Sequence, residues 1–372
     1  MHGELWPTFL KYAIMVVPLN EARPLNETNK LMSHAGSSPL VAIVTPVYNG
    51  ATYLAETMEN VKSLAYPNLV HVVLDNGSTD ATPEIIQQYI GRGVPILATR
   101  NSVTLPMEAN WSKAVSLIPK EAKYFWLLCA DDTLAGHAIR RTVDVAESDP
   151  SVVLVGSLWR ADGFVVGEEL PRGQIVFEGK QILRSYLRRE HAALAGMNKL
   201  VRCSMVDNGL PHYGHNGIVM SADTEANMRA CLRGNFGFVH EELYHWRSHA
   251  ESMTVKVSRK MLLFEADWPL LLDRYGGHVL GYREYRECRQ RFRRYLLRRL
   301  LLARIREGDK KTFSWHMDLL RAREDPATFR DFARALVEWC YLFFIGRRHL
   351  VGRPGQRDAK SASGIVETFS GS

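Results

Sequence analysis

Residues Tyr124 to Leu134 read YFWLLCADDTL, an apolar run that stops at two adjacent carboxylates, Asp131 and Asp132. Acids at the carboxyl end of a buried strand are a metal-site candidate. Ligands of open α/β sheets bind at that rim, and hard divalent cations such as Mg²⁺ or Mn²⁺ prefer carboxylate oxygens. The competing reading of an isolated Asp-Asp pair is that Asp131 caps a helix, here one beginning near Thr133 to Gly136. Two further stretches fall on the same rim: Thr45 to Tyr48 follows a first strand, and Asp75 ends a second. An Asp so placed can accept hydrogen bonds from a base N–H or a ribose hydroxyl, while a carboxylate pair can hold a metal against a diphosphate. Together they describe a nucleotide-diphosphate site. The sequence has no GxGxxG and no GxxxxGK[ST], which disfavours a dinucleotide-binding domain and a P-loop nucleotidase and leaves the phosphates to be held through metal.

Such a rim requires a particular sheet. LVAIVTPVYNG from Leu40 reads as a short β-branched strand closed by a turn, and 51–64 is helical in period. LVHVVLDNGSTD is a second strand, with Ser78, Thr79 or Asp80 placed to cap a helix from Pro83 to Ile90. A third strand is expected over Pro95 to Thr99, a helix over Met107 to Ile118 and a fourth strand over Tyr124 to Cys129. Further on come a helix from Ala138 to Ser148, a strand from Val152 to Ser157, a Gly-rich loop or hairpin over 163–179 and a helix from Lys180 to Arg189. A helix within 216–234, with Gly234 as its stop signal, leads to a strand from Phe236 to Tyr244. Strands alternating with helix-length segments imply an α/β fold with a mostly parallel sheet and right-handed crossovers.

At 372 residues and 46% hydrophobic content, the chain is long enough for one large α/β domain with a helical extension. Five cysteines, odd in number and never spaced as CxxC, indicate neither a disulfide framework nor a zinc site and fit a reducing cytoplasm. No apolar run reaches the roughly 20 residues of a membrane span, so no transmembrane helix is expected. The net charge of +7 is concentrated after Arg283, where 283–306 holds ten arginines interleaved with Leu, Phe and Tyr.

The stretches VAIVTPVYNGATYLAETMENV (41–61), VVLDNGSTDAT (72–82), YFWLLCADDTL (124–134), SADTEANMRACLRG (221–234) and ELYHWRSHAESMT (242–254) resemble, in words, order and spacing, the family 2 glycosyltransferases of the GT-A fold. The resemblance covers 40 to about 256 and implies an inverting transfer of a sugar from a nucleotide-diphosphate donor. By position it implies that Thr45, Pro46 and Tyr48 line the nucleotide pocket, that Asp75 contacts the base, and that Asp131 is the metal-holding acid, with Asp132 and Asn110 also at the substrates. Arg247 and His249 match the family's RxH near the diphosphate, and Arg pairs phosphate oxygens through its planar fork. Asp223 matches the catalytic base, with Glu225 as runner-up. Taken without the resemblance, Asp223 is equally an N-cap of its helix. Two departures stand out: Cys129 occupies the place of the first acid in the DADD of many relatives, and Ala222 replaces the Glu of the ED pair.

The expected organisation is a lead-in over 1–39, a transferase domain over 40–256 divided into a nucleotide half (40–135) and an acceptor half (136–256), a basic helical extension over 257–351, and a disordered tail over 352–372. The arginine-rich helices read as a solvated face packed on the enzyme, as a peripheral contact with an anionic membrane surface, or, on charge alone, as a nucleic-acid binder, in that order. The family implies a Mg or Mn cofactor, a donor most often linked to UDP, and a glycan or lipid-linked acceptor in cell-envelope or exopolysaccharide synthesis. The location would be the cytoplasm or the inner face of its membrane. The alternatives are a degenerate, non-catalytic family member acting as a scaffold, and a nucleotidyltransferase, which would need a Gly-rich basic loop that TPVYNG does not supply.

Overall fold

A computed structural model of the chain describes residues 38–344 apart from 162–163, 207–211, 215–216, 219 and 307. The expected lead-in and tail fall outside the described residues, positions 38 and 39 excepted. Ten strands form one sheet in the order β3-β2-β1-β4-β9-β6-β10-β5. β1 (Val41–Val47), β2 (Leu69–Asp75), β3 (Ile96–Arg100) and β4 (Tyr124–Leu127) are parallel. Each is followed by a helix or turn, with α1 (Leu54–Lys62), α2 (Thr82–Tyr89) and α3 (Met107–Ser116) making the crossovers.

The sheet is mixed beyond β4. β9 (Lys199–Arg202) runs antiparallel between β4 and β6 (Val152–Ala161). β10 (Asn235–Trp246) is parallel to β6, and β5 (Thr133–Leu134) pairs antiparallel with β10. Asp131 therefore precedes a strand, and the helix-cap reading is set aside. β7 (Phe164–Val166) folds back on β6 and β8 (Val176–Phe177) on β10, so the Gly-rich segment contributes edge strands. β9 lies in a segment without a readable strand pattern; it is four residues long and carries Lys and Arg at its ends.

Alternation along β1 explains why both faces are covered. Ala42 and Val44 point into a core shared with α3, α5 (Gly179–Leu187) and α6 (Ala222–Cys231). Val41 and Ile43 point into a second core with α1 and α4 (Ala138–Ser148). This is the pattern of a sheet buried on both sides. α6 ends at Cys231, and Gly234 serves packing: a Cβ there would meet Val153 Cγ1 at 2.4 Å.

After β10 the chain is helical: α7 (Leu263–Val279), α8 (Tyr282–Arg306), α9 (Lys310–Ala322) and α10 (Phe329–Phe344). The apolar stripe of α8, with Phe292, Tyr295, Leu296, Leu297 and Leu300, is buried in the same core as Ala42, Val44 and Phe125. Two of its arginines are held by acids of α10 and of the loop before it: Arg293 to Asp325 at 2.6 Å and Asp331 at 3.1 Å, and Arg298 to Glu338 at 2.5 Å. The apolar stripe of α8 therefore faces the domain and not the solvent. Among the described residues, no helix is long and apolar enough to cross a membrane.

Candidate active site

The rim loops are laced together by backbone donors meeting short polar side chains. Asn49, at φ 49°, turns the chain after β1, a left-handed conformation that Asn tolerates. Its N–H donates to Ser78 Oγ (2.9 Å), Gly50 N–H to Thr82 Oγ1 (2.9 Å) and Ala51 N–H to Asp80 Oδ2 (3.0 Å). Ser78 and Asp80 thus bridge the β1 and β2 loops. Asp80 also accepts from Thr82 N–H at the start of α2 (3.1 Å), while Ala81 holds the N-cap position.

Within this frame the expected nucleotide residues divide. Tyr48 is 52% exposed on the rim. Thr45 and Pro46 lie inside β1 and are buried, and Thr45 Oγ1 is 2.9 Å from His71 Nε2 in the sheet interior. Those two do not line an open pocket, because the rim begins only after Val47. Asp75 is 2% exposed; its Oδ1 accepts from Ser78 N–H (2.9 Å) and its Oδ2 lies 2.8 Å from Arg100. Asn110 is 4% exposed and accepts from Asn101 Nδ2 (2.9 Å), which also donates to Asn76 Oδ1 (2.8 Å). This buried amide chain fixes the loop before α3, so Asn110 supports the site from behind.

The two acids after β4 face different ways. Asp132 is 1% exposed: one carboxylate oxygen accepts the Tyr244 hydroxyl, the other accepts Arg247 N–H at 2.8 Å. Burial and the neighbouring Asp131 push its pKa up to about 8. Asp132 therefore anchors the loop after β10, with one hydrogen bond on each carboxylate oxygen. Asp131 is more open, and its Oδ2 is 2.9 Å from His249 Nε2. Arg247 donates from Nε to the Asp131 carbonyl (2.9 Å), pairs with Glu56 at 2.6 Å and stacks over Tyr53 at 5.0 Å. The RxH residues thus close over the acidic loop.

Ligand atoms of Cys129, Asp131 and Asp132 lie within 4.8 Å of one another. The mutual repulsion that raises Asp132 is the field a cation would relieve. Burial and the two acids push the Cys129 thiol well up, so it stays neutral and is a poor ligand for a hard cation. Carboxylate oxygen, with imidazole beside it, fits Mg²⁺ or Mn²⁺ through Asp131.

Asp223 is the second residue of α6, whose N-cap is Ser221, so the N-cap reading fails. Burial raises its carboxyl above the usual range; the Thr224 N–H bond and the Lys199 charge act in the opposite sense. Lys199 is itself buried and brought down to about 7. Glu225 points away from this site: it accepts the Tyr275 hydroxyl and lies 3.6 Å from Arg274. A cavity of about 460 Å³ holds Cys129, Asp131, Asp132 and Asp223 in one lining. It runs on to Trp268, Phe292 and Tyr295 of α7 and α8.

Sequence reasoning passed over the residues that hold this base in place. Asp267 of α7 is fully buried, and its Oδ2 accepts from Met220 N–H (2.7 Å) and Ser221 N–H (2.8 Å) immediately before α6. The extension is therefore part of the site. The available signal was a pair of acids, Glu265 and Asp267, in the otherwise apolar run LLFEADWPLLL.

The family model described as glycosyl transferase family 2 matches residues 42–210. The glycosyltransferase GlyG of Streptococcus pneumoniae is 24% identical over 127 residues, which are 34% of this chain and 41% of GlyG. The match thus spans less than half of that relative. The crystal structure of Staphylococcus aureus TarS 1–349 in complex with UDP-GlcNAc superposes with a TM-score of 0.53 at 12% identity, covering 76% of this chain and 81% of TarS 1–349. The mannosyltransferase PcManGT of Pyrobaculum calidifontis, in complex with GDP-Man and Mn²⁺, gives 0.52 at 12% identity over 85% and 84% of the two chains. At such identities the likeness is one of fold.

Proposed function

We propose that this chain, whose residues 42–210 match the glycosyl transferase family 2 model and whose fold is like that of TarS and PcManGT, moves a sugar, with inversion, from a nucleotide-diphosphate donor to an acceptor hydroxyl in cell-envelope or exopolysaccharide synthesis. The observation that carries this reading is the single cavity shared by Asp131 and Asp223, the second with its carboxyl raised by burial. A raised carboxyl is a better proton acceptor and is tuned toward general-base work near neutral pH.

Asp223 takes the proton from the acceptor hydroxyl. The freed oxygen attacks the anomeric carbon as the bond from that carbon to the diphosphate oxygen breaks, and the nucleoside diphosphate leaves with the electron pair. Asp131, with His249 beside it, would hold a divalent cation, which when bound supplies charge stabilisation for the departing diphosphate. Arg247 positions the Asp131 loop through its carbonyl. Tyr48 and the Asp75–Arg100 pair form the rim on which the base and ribose would lie. The TarS and PcManGT complexes support a nucleoside diphosphate sugar, with uridine the first to test, and the use of such a donor implies a cytoplasmic site of action.

Calorimetric titration with UDP, with and without Mn²⁺, tests the donor site. Metal-dependent binding is expected in the wild type and is expected to vanish in Asp131→Ala. Asp223→Asn should keep that binding and lower the transfer rate about 10²- to 10⁴-fold. Absence of binding for every nucleoside diphosphate under every metal would sink the reading and bring forward a degenerate, non-catalytic protein.

A further inference from the structure

Lys199, the first residue of β9, is buried with its whole side chain. Leu200 points to the core with α1 and α4 and Val201 to the core with α6, so the pleat sends Lys199 to the α6 face as well. Its partner in register on β6 is Gly156, where a Cβ would stand 3.2 Å from both Cδ and Cε of the lysine. The glycine leaves a slot for the lysine stem. At the end of that stem, Nζ donates to the Ala195 carbonyl (3.0 Å) and to Asn198 Oδ1, while Asn198 Nδ2 donates to the Ser157 carbonyl (3.1 Å).

Above this slot, α6 carries Asp223, Asn227 and Cys231 on one stripe at four-residue spacing. Asn227 Nδ2 donates to the carbonyls of Leu194 (2.9 Å) and Gly196 (3.0 Å), on either side of Ala195. The stripe and the ammonium therefore grip the same short loop, and Ala195 and Asn198 of that loop share the cavity lining with Asp223. The lysine's charge acts on both ends of the stripe, Asp223 and Cys231. The other titratable groups facing the pair are held neutral near pH 7. Burial pushes the Cys231 thiol up to about 12, raises Cys129, Tyr186 and Tyr213, and takes His191, after α5, down to about 4. The charges of Arg189 and Arg229 act on Tyr186 and Tyr213, and those of Asp131 and Asp132 on Cys129. A buried ammonium loses hydration, and a methionine would fill the same slot without that loss.

We propose that Lys199 is a positioning residue for the transfer: its ammonium, held in the Gly156 slot beneath α6, keeps Asp223 ionised in the cavity wall and so able to take the acceptor's proton. The assignment rests on the glycosyl-transfer reading above. A carboxylate taken out of water without a counter-charge picks up a proton from solvent and is lost as a base. Desolvation makes Asp223 the stronger base, and the fixed ammonium keeps it from being protonated before the acceptor arrives.

Denaturant unfolding of the full chain from about pH 4 to about pH 9, in the wild type, Lys199→Met, Asp223→Asn and the double variant, tests the pair without any substrate. The two substitutions should be non-additive by about tenfold in the unfolding constant while both groups are charged. They should become additive at acid pH, where Asp223 is protonated, and well above about 7, where Lys199 has lost its proton. Additivity at every pH, or a non-additivity that does not change with pH, overturns the pairing. Should neither Lys199→Met nor Lys199→Gln melt cooperatively, a double variant that does supports the pair, and one that does not overturns it. The second readout is release of nucleoside diphosphate from UDP-glucose, UDP-N-acetylglucosamine and GDP-mannose with Mn²⁺, water serving as acceptor. In Lys199→Met the acid limb of kcat should move up by about one pH unit, with KM within about twofold of the wild type. A slower variant whose limb stays in place means that Lys199 only braces the loop over 194–198, and overturns the proposal. No release from any of the three donors, with the pH-dependent coupling intact, would count against the transfer reading and not against the pairing of the two side chains.

Discussion

Cys129 stands one residue away from the acidic pair, half-buried, with its thiol pKa pushed well up by desolvation and the nearby acids. A carboxylate there would add a third negative group beside Asp132, which burial and the charge of Asp131 already push up to about 8. Cys129→Asp is therefore expected to lower the melting temperature in EDTA and to raise it with Mn²⁺ relative to the wild type. A variant indifferent to metal in thermal scans would show that the cluster does not attract cations. His71 gives a separate residue-scale expectation. Burial takes its pKa from 6.5 down to about 3, with Thr45 as its partner in the sheet. Because the native pKa lies below the unfolded one, the unfolded chain binds the extra proton, and stability present above about pH 6.5 is lost as the pH falls toward 3. Asp132, shifted the opposite way, acts with opposite sign between its unfolded value and about 8, so the His71 contribution must be read as a difference. His71→Gln should flatten the acid limb of melting temperature against pH between about 6.5 and 4; an unchanged limb would show that His71 protonates without penalty.

At the scale of elements, the site depends on contacts between segments far apart in the chain. β10 delivers Tyr244 and Arg247 to Asp132, which fixes the loop after β4. α7 delivers Asp267 to the two N–H groups that precede α6 and so sets where Asp223 stands. Removing one carboxylate leaves two buried donors without an acceptor, at about 1 to 3 kcal/mol each. Asp267→Ala should accordingly lower the melting temperature and the transfer rate together, while UDP affinity, set on the opposite rim, stays within about twofold. Unchanged turnover would show that the start of α6 is fixed without this contact.

At the scale of the whole molecule, described residues on both sides of the boundary expected near residue 256 share one core. Leu271, Leu272, Leu296, Leu297 and Leu300 are each 3% exposed or less and share a core with the sheet. Uncovering a leucine of this kind forfeits about 1.5 to 3 kcal/mol, and five together approach the entire stability of an ordinary domain. A chain ending at residue 256 is expected to bind a hydrophobic dye and melt without a cooperative transition. A sharp melt from that fragment would show that residues up to 256 fold without the helices that follow.

The parallel half of the sheet was legible because its information is local. Val41 to Val47, Leu69 to Asp75 and Tyr124 to Leu127 are largely apolar runs followed by turn residues, and the acids that close the second and follow the third stand out against them. The arginine-rich helices were legible as helices for the same reason. Which way a side chain turns was not. Thr45 and Asp132 carry the right chemistry in the right stretches, yet strand pleat and the arrival of β10 send both inward. β9 was missed because a four-residue strand gains its stability from β4 and β6 on either side and has no period of its own to display. The apolar stripe of α8 has one appearance in sequence whether it meets lipid or protein, and only the packed core decides between them. Sequence determined the sheet's rim and the chemistry placed on it; tertiary structure decided which of those groups face the cavity and added the α7 and α8 wall that closes it, because burial and pairing depend on partners a hundred or more residues away.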